Sequence, residues 1–312
     1  MLLTTHQIAK SMEDRTILHP LNLTIRRKER LAIIGETGSG KTTLLKSLAG
    51  LMDLDSGEIF FLAEKVMGPS AQLLPGHPGI SYLHQAVHLR NHYKVADLME
   101  RHSIQDFAAD RELARICRVE HLLDRMTDQL SGGERQRIAL AIELSKHPKL
   151  LLLDEPFSNL DIGHRNTLRA VLDDLHAQIG LTFVIVSHNP SEVLGWADQI
   201  MVMQAGRCVQ MGTPHEIYES PVNEYVAQLL GPYTLMQSKN GDPTRFVRPE
   251  RIHLTAADTS PIKGVVIGEE YEGHSSIYTV KAGEKIWLIR NRSGQYILGE
   301  EVGIFVESNT DE

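Results

Sequence analysis

The run Gly35-Glu36-Thr37-Gly38-Ser39-Gly40-Lys41-Thr42 stands between an apolar stretch, Leu31-Ala32-Ile33-Ile34, and a helix-forming one, Thr43-Leu44-Leu45-Lys46-Ser47-Leu48-Ala49. It fits G-x-x-x-x-G-K-[ST] in the strand, loop and helix setting the motif requires. Glycines at 35, 38 and 40 permit backbone conformations closed to residues with a Cβ, so successive N–H groups can turn inward around a phosphate. The following helix adds unpaired N–H groups and the positive end of its dipole. Lys41 offers a point charge for the β- and γ-phosphates, and the Thr42 hydroxyl is a hard oxygen ligand suited to Mg²⁺. The stretch reads as a triphosphate cradle.

Further along, other residues of catalytic type stand at the ends of apolar runs. Ile80-Ser81-Tyr82-Leu83-His84-Gln85 ends in an amide, Lys149-Leu150-Leu151-Leu152-Leu153-Asp154-Glu155 in two carboxylates, and Leu181-Thr182-Phe183-Val184-Ile185-Val186-Ser187-His188 in an imidazole. In open α/β sheets ligands bind beyond the carboxyl ends of the strands, so these groups should face the same crevice as the glycine loop. One carboxylate can hold a hydrated Mg²⁺ and the other can orient and deprotonate water. Leu130-Ser131-Gly132-Gly133-Glu134-Arg135-Gln136-Arg137 opens a helical run closed by Pro148. Glycines there leave N–H groups bare, and Ser131 is placed to cap one of them. Ser158-Asn159-Leu160-Asp161 is a polar turn. His84, His88 and His92 would share one face if their segment were helical, but no carboxylate or Cys adjoins them, and a solvated or partner-facing surface fits that spacing better than a metal site.

The elements that must position these residues can be followed along the chain. Residues 1 to 34 form an antiparallel lead-in, with Leu21-Asn22-Leu23-Thr24-Ile25 at period two before the basic turn Arg26-Arg27-Lys28. Glu58-Ile59-Phe60-Phe61-Leu62 reads as a strand, and residues 68 to 79 form a Pro- and Gly-rich loop. From about 88 to 147 the pattern is helical, and a helix follows from about 163 to 178. Beyond about residue 235, Phe246-Val247-Arg248-Pro249-Glu250-Arg251 precedes β-like runs at Val265–Ile267, Ile277–Val280, Ile286–Ile289, Tyr296–Leu298 and Ile304–Val306, the pattern of a small β-barrel.

At 312 residues, the chain has room for one large or two modest domains with ample core. A net charge of −8, from 32 basic and 40 acidic residues, argues against coating a nucleic acid. Only Cys117 and Cys208 occur, far apart, so neither a disulfide framework nor a zinc site is expected. The first residues lack the features of a signal peptide, and no apolar run approaches the roughly 18 residues of a membrane span, so work at a membrane would need a partner.

Together these motifs resemble the ATP-binding cassette family over roughly residues 1 to 230. Gly35 to Thr42 is similar to Walker A, Gln85 to the Q-loop, Leu130 to Glu134 to the LSGGE signature, and Leu150 to Glu155 to Walker B with its catalytic Glu. Ser158 to Asp161 is similar to the D-loop, and His188 to the switch histidine. The V-R-P-E element and the strands after it resemble a TOBE domain of importer ATPases. The resemblance implies an α/β P-loop NTPase cassette, with a RecA-like core and a helical subdomain at about 88–147, over residues 1–234. A small TOBE-like β-barrel domain would cover 235–312. It implies ATP and Mg²⁺ as cofactors, with nucleotide contacts from Gly35 through Thr43 (Gly35, Glu36, Thr37, Gly38, Ser39, Gly40, Lys41, Thr42, Thr43), from Ser131 and Gly133 of a second cassette, and from Asp161. Thr42, Gln85 and Asp154 would arrange the metal, while Glu155, His188, Lys41 and Gln85 carry catalysis.

The chain departs from the family in two places. The adenine-stacking aromatic usually stands about 23 residues before the first Walker A glycine, which falls on Met12, a thioether with no π face. Lys28-Glu29-Arg30 replaces a turn that usually holds Gly. The function implied is the ATPase subunit of an importer at the cytoplasmic face of the cell membrane. Its partners would be a second cassette, two transmembrane permease subunits and, indirectly, a substrate-binding protein, with the surface from about 86 to 100 meeting the permease and no nucleic acid expected. The alternative is a soluble cassette ATPase acting on nucleic acid, ribosomes or cluster assembly. Such proteins usually show paired cassettes, a coiled-coil insertion or a basic patch, and none is visible here. A nucleotide-binding regulator without turnover is disfavoured by Glu155 and His188.

Overall fold

The computed structural model describes residues 1–85, 89–103, 107–236 and 245–307. The chain forms two compact units, Met1–Pro214 and His215–Glu312, so the division falls ahead of the change in strand pattern near residue 235.

The first unit opens with a hairpin, β1 (Leu3–Met12) and β2 (Arg15–Ile25), followed by β3 (Arg30–Ile34), α1 (Lys41–Leu48), β4 (Ser56–Phe61) and the short β5 (Glu64–Lys65). After β6 (Ile80–Leu83) come three helices, α2 (Val95–His102), α3 (Phe107–Ile116) and α4 (Gly132–Leu144), where the sequence predicts a helical stretch. The unit closes with β7 (Leu150–Asp154), α5 (Ile162–Ile179), β8 (Thr182–Ser187), β9 (Gln199–Gln204) and β10 (Arg207–Gly212). One sheet has the antiparallel order β2-β1-β4-β5. The other has the order β10-β9-β3-β8-β7-β6, parallel except for β10 at its edge.

The central strands are continuous apolar runs because both faces of a parallel sheet are covered. Leu150 to Leu153 are each at most 1% exposed. One core joins the two sheets: Leu3, Ile8, Leu18 and Ile25 from the hairpin meet Leu44 and Leu48 of α1 and Leu150, Leu152, Val184 and Val186 of the parallel sheet. Truncating one such leucine to alanine costs about 2–5 kcal/mol. Register then sets the functional edge. Leu83 pairs with Leu153, Asp154 with Val186 and Ile34 with Ser187, so β3, β6, β7 and β8 finish together.

The turn before β3 reaches the left-handed region without glycine. Lys28 has φ +59°, and its N–H donates to Thr182 Oγ1 at 2.8 Å. The three-histidine spacing does not fall on a helix: His84 follows β6 and stands edge-on to Tyr82 at 4.4 Å, His92 sits in a turn at φ +60°, and His88 lies outside the described residues.

The second unit begins with α6 (Pro214–Glu219) and α7 (Glu224–Leu229), then a short ladder of β11 (Thr234–Met236) with β12 (Arg245–Val247). Strands β13 (Ile252–Ala256), β14 (Ile262–Tyr271), β15 (Ser275–Ala282), β16 (Lys285–Arg292) and β17 (Glu301–Val306) make an antiparallel sheet of order β13-β17-β14-β15-β16. The sheet curls until β13 and β16 touch, around a core with Ile252, Tyr278, Val280 and Ile289. The arginine of the V-R-P-E element is buried: Arg248 Nε donates to the Tyr218 carbonyl at 2.9 Å, and Nη1 to that of Ala227 at 3.0 Å. Its guanidinium covers the Tyr218 ring, whose phenol is pushed up to about 12 by burial and by its hydrogen bond to Glu250.

Tyr296–Leu298, expected as a strand, is a turn. Gly294 and Gly299 both adopt positive φ on either side of it, leaving too little chain to build a ladder. Glu300 N donates to Ile297 O at 3.1 Å, and the Tyr296 hydroxyl donates to Leu254 O at 3.1 Å. Ile297 and Leu298 project outward, more than two-thirds exposed.

Candidate nucleotide site

The glycine loop joins the end of β3 to the start of α1. Gly35 must be glycine on steric grounds, since a Cβ there would lie 2.2 Å from the Met203 carbonyl oxygen, and its φ of +154° disfavours a side chain. Glu36, Thr37 and Gly38 form the exposed crest, while Ser39 and Lys41 are buried at 4% and 5% exposure. Lys41 Nζ donates to the carbonyls of Gly35 and Glu36, each at 2.7 Å, and to Ser39 Oγ at 3.3 Å. Burial lowers the pKa of this ammonium, against the opposing pull of Glu155, Asp154 and Glu36. Thr42 faces outward from the first turn of α1, followed by the half-buried Thr43.

The strand ends bring their polar residues to this loop. Asp154, 5% exposed, accepts from Thr42 Oγ1 at 3.1 Å and from the Tyr82 hydroxyl at 2.8 Å. Burial, and then the Asp154 charge, raise the Tyr82 pKa and keep the phenol a donor. Glu155 Oε2 accepts from Gln85 Nε2 at 2.9 Å and lies 3.1 Å from His188 Nδ1. Glu155 holds φ +48°, a conformation costly for a residue with a Cβ. Its backbone N–H, bonded to Val186 O at 3.0 Å, ties that turn to β8. Gln85 and His188 thus meet on Glu155, and Thr42 and Tyr82 on Asp154, two clusters joined through the consecutive residues 154 and 155 at the end of β7.

Ser131, Gly133 and Asp161 stand apart from that group. Ser131 caps α4, its Oγ accepting from Glu134 N at 3.3 Å while Glu134 Oε2 accepts from Ser131 N at 2.8 Å. The serine is thus a cap, and S-x-x-E is the sequence signature of the reciprocal pair. Gly133 packs on His164, where an added Cβ would stand 2.6 Å from the ring. Asp161 caps α5, accepting from His164 N at 2.8 Å. Met12 ends β1, paired with Arg15 and 42% exposed.

A model of the ABC transporter family matches residues 18–158, and a TOBE domain model matches residues 246–308. The chain is 30% identical to a spermidine/putrescine import ATP-binding protein of Thermotoga maritima, over 98% of this chain and 95% of that one. The chain belongs to the ABC transporter family. It is also 39% identical to a sulfate/thiosulfate import ATP-binding protein of Nitrosomonas europaea, over 77% of this chain and 68% of that one. Among solved structures it is similar to cbiO1 of Clostridium perfringens, part of the ABC transporter complex cbiONQ, with a TM-score of 0.62 and 26% identity over 69% of this chain and 90% of that one. Within the family this chain is an ATP-binding, ATP-hydrolysing subunit, and both of these relatives are import proteins rather than soluble cassettes of other classes.

Three contacts lay outside the reading of the sequence. Tyr82 orients Asp154, and its place one residue before the end of β6 was the available signal. Ser158 Oγ donates to Glu155 O at 2.8 Å and lies 3.5 Å from Gln85 Nε2. Gln136 of α4 donates to Pro156 O, tying the helical segment to the turn after Glu155. A groove of about 780 Å³ opens elsewhere, around His147, Lys149 and Leu181 at the opposite ends of β7 and β8.

Proposed function

We propose that this chain drives an importer by closing on ATP against a second cassette and passing that motion to two separate transmembrane permease subunits, fed by a substrate-binding protein. The observation that carries the reading is a pair of adjacent clusters at the end of β7, Thr42 on Asp154 and Gln85 with His188 on Glu155, together with the buried Lys41 that begins α1. The cassette function belongs to residues 1–234 and a TOBE-like domain to 235–312. No helix among the described residues is long and apolar enough to cross a membrane, and the protein works from the cytoplasmic face through its permease.

Glu155 polarises the attacking water, held for that task by Gln85 and His188. Lys41 exchanges its neutral carbonyl partners for phosphate oxygens, which accept more strongly because they are charged. His188 and Lys41 stabilise charge on the γ-phosphate. Backbone N–H groups from Gly35 to Thr43 cradle the phosphates. The donors near Thr42 are oxygens, with one buried carboxylate, Asp154. That set suits Mg²⁺, which keeps waters and binds through one or two carboxylates and substrate phosphates. Thr42, Gln85 and Asp154 are the residues that would hold it, and bound there it would offset charge on the phosphates. Met12 packs its thioether on adenine. Ser131 and Gly133 of the opposing cassette, with Asp161, complete the site.

A groove of about 260 Å³ lined by Tyr82, His84, Leu89, Leu98, Ala139 and Ile142 lies beside Gln85. With the surface from about 86 to 100, of which 86–88 lie outside the described residues, it receives the permease. Relatives at comparable identity are named for polyamines, sulfate/thiosulfate and Fe(3+) ions, so cargo choice belongs to the permease and binding protein. The test is a pull-down of Glu155→Gln with ATP and Mg²⁺ from detergent-solubilised membranes of the native host, read by mass spectrometry. Multi-span subunits are expected. Recovery of ribosomal, DNA-associated or assembly proteins in their place would sink the importer reading.

A further inference from the structure

We propose that Glu192, aided by Arg165, is a positioning residue that holds His188 and the turn after Glu155 in one arrangement. This rests on the hydrolytic reading above. The His188 side chain is 53% exposed, so packing alone does not fix the direction of its ring. Its two neighbours do. Ser187, 1% exposed at the end of β8, accepts from Asn189 N at 2.9 Å, which clamps the backbone on both sides of His188. The same hydroxyl has one proton and two acceptors within reach: Glu192 Oε2 at 2.7 Å and Asn189 O at 3.1 Å. The carboxylate is nearer and charged, so it takes the proton and sets the hydroxyl's direction. Glu192 N donates to Asn189 O at 3.1 Å and closes the ring of bonds.

Two arginines of α5 anchor Glu192, whose own side chain is only 10% exposed. Arg169 Nη1 donates to the Glu192 carbonyl at 3.0 Å. Arg165 Nη1 stands 3.9 Å from Glu192 Oε1, while its Nη2 donates to Leu160 O at 3.4 Å. Arg165 Nε is buried without a partner, so the guanidinium depends on these two contacts. One arginine therefore touches both the His188 segment and the turn Ser158–Asp161. Without the Glu192 carboxylate, the Ser187 hydroxyl turns to Asn189 O and Arg165 loses its counter-charge. The imidazole then drifts from Glu155, and a misplacement of about 1 Å costs about 10²-fold in rate.

The experiment is steady-state ATP hydrolysis by the full chain carrying Glu192→Ala, Glu192→Gln, His188→Ala, or Glu192→Ala with His188→Ala, with a melting curve for each. Glu192→Ala is expected to lower kcat about 10- to 10²-fold with KM for ATP within about twofold, because the interaction matters in the transition state. Glu192→Gln, which still accepts from Ser187, should recover much of the rate. The double variant should be no slower than His188→Ala, as expected of residues acting through one another. Additive losses, or a parent-like kcat in a folded Glu192→Ala, overturn the positioning role alone. Should Glu192→Ala fail to fold, Glu192→Gln combined with His188→Ala decides by the same additivity criterion. Parent-like hydrolysis by His188→Ala overturns the role of His188 in the proposed function and this inference with it.

Discussion

Two helices of the first unit, α1 and α4, begin at glycines, yet they treat the positive ends of their dipoles in opposite ways. At α1 the capping residue is Gly40, with φ +97° and no side-chain cap, and the first turn has no acid. Lys41, the first residue of that helix, adds a further positive charge. At α4, Ser131 caps the helix and Glu134 closes a reciprocal pair of hydrogen bonds, placing a carboxylate in the first turn. A negative charge near a helix start is stabilising, so α4 has largely compensated itself, and α1 has not. The difference teaches an order of events under the proposed function. A phosphate chain binds first at α1, where N–H groups and a lysine converge. The α4 start, with a serine hydroxyl and the open face of Gly132, can then close on a phosphate already held by the other cassette.

The strongest way to break this comparison is Lys41→Met. Loss of one preorganised donor to a developing charge is expected to lower kcat/KM for ATP by about 10²- to 10³-fold. Stability should move the other way. Burial lowers the pKa of Lys41 below its ordinary 10.5, so the folded protein holds this proton less tightly than the unfolded chain. The buried charge costs stability at neutral pH, and the cost fades as pH rises towards 10.5. Nucleotide-free Lys41→Met should therefore melt at a higher temperature than the parent at pH 7. A lower melting temperature together with retained ATP affinity would refute the assignment of α1 as the primary anion site.

A smaller effect separates the second helix from the first. In Gly133→Ala the new Cβ would stand 2.6 Å from the His164 ring, forcing α4 and α5 apart at their starts. Nucleotide affinity of the isolated chain, read by fluorescent-nucleotide titration, should stay at the parental value. Turnover and the ATP-dependent dimer, read by hydrolysis and light scattering, should fall by about 10²-fold. Weakened binding to the monomer would place Gly133 in the same site as Lys41 and erase the distinction.

The placement of polar residues at the strand ends was legible wherever residue type and strand period were enough. Apolar runs such as Leu150–Leu153 locate buried strands, and whatever polar residue follows them reaches the common edge. Partners depended on pairing between strands distant in sequence: Tyr82 meets Asp154 only because β6 lies beside β7 in register. The positive φ of Glu155 left no trace in composition, since nothing about a Glu after an Asp demands it. In the second unit, the short β-like run at Tyr296–Leu298 misled because flanking glycines make a turn of it. Strand β13, between the V-R-P-E element and the first expected run at Val265, was missed, although Ile252 and Leu254 already alternate with the polar His253 and Thr255.

The finest test concerns the self-compensation of α4, through Glu134→Gln. Glu134 is held below the ordinary carboxylate value of 4.5, first by the N–H of Ser131 and also by Arg125 and Arg137. Because the folded pKa is depressed, this stabilisation is present above pH 4.5 and is lost as pH falls through the folded value. The glutamine keeps an acceptor for Ser131 N but gives up the charge, so at pH 7 the cost should be about 0.5–1 kcal/mol in denaturant unfolding. That difference should shrink as the titration is taken down through pH 4.5. A gap constant with pH would mean that shape, and not charge, does the capping. Neutralising the first turn also uncovers the dipole, so an ATP-held dimer of Glu134→Gln should be at least as tight as the parent's, measured in Glu155→Gln chains to suppress turnover. A looser dimer would mean that Glu134 assists closure, and that the contrast between the two helix starts is one of degree.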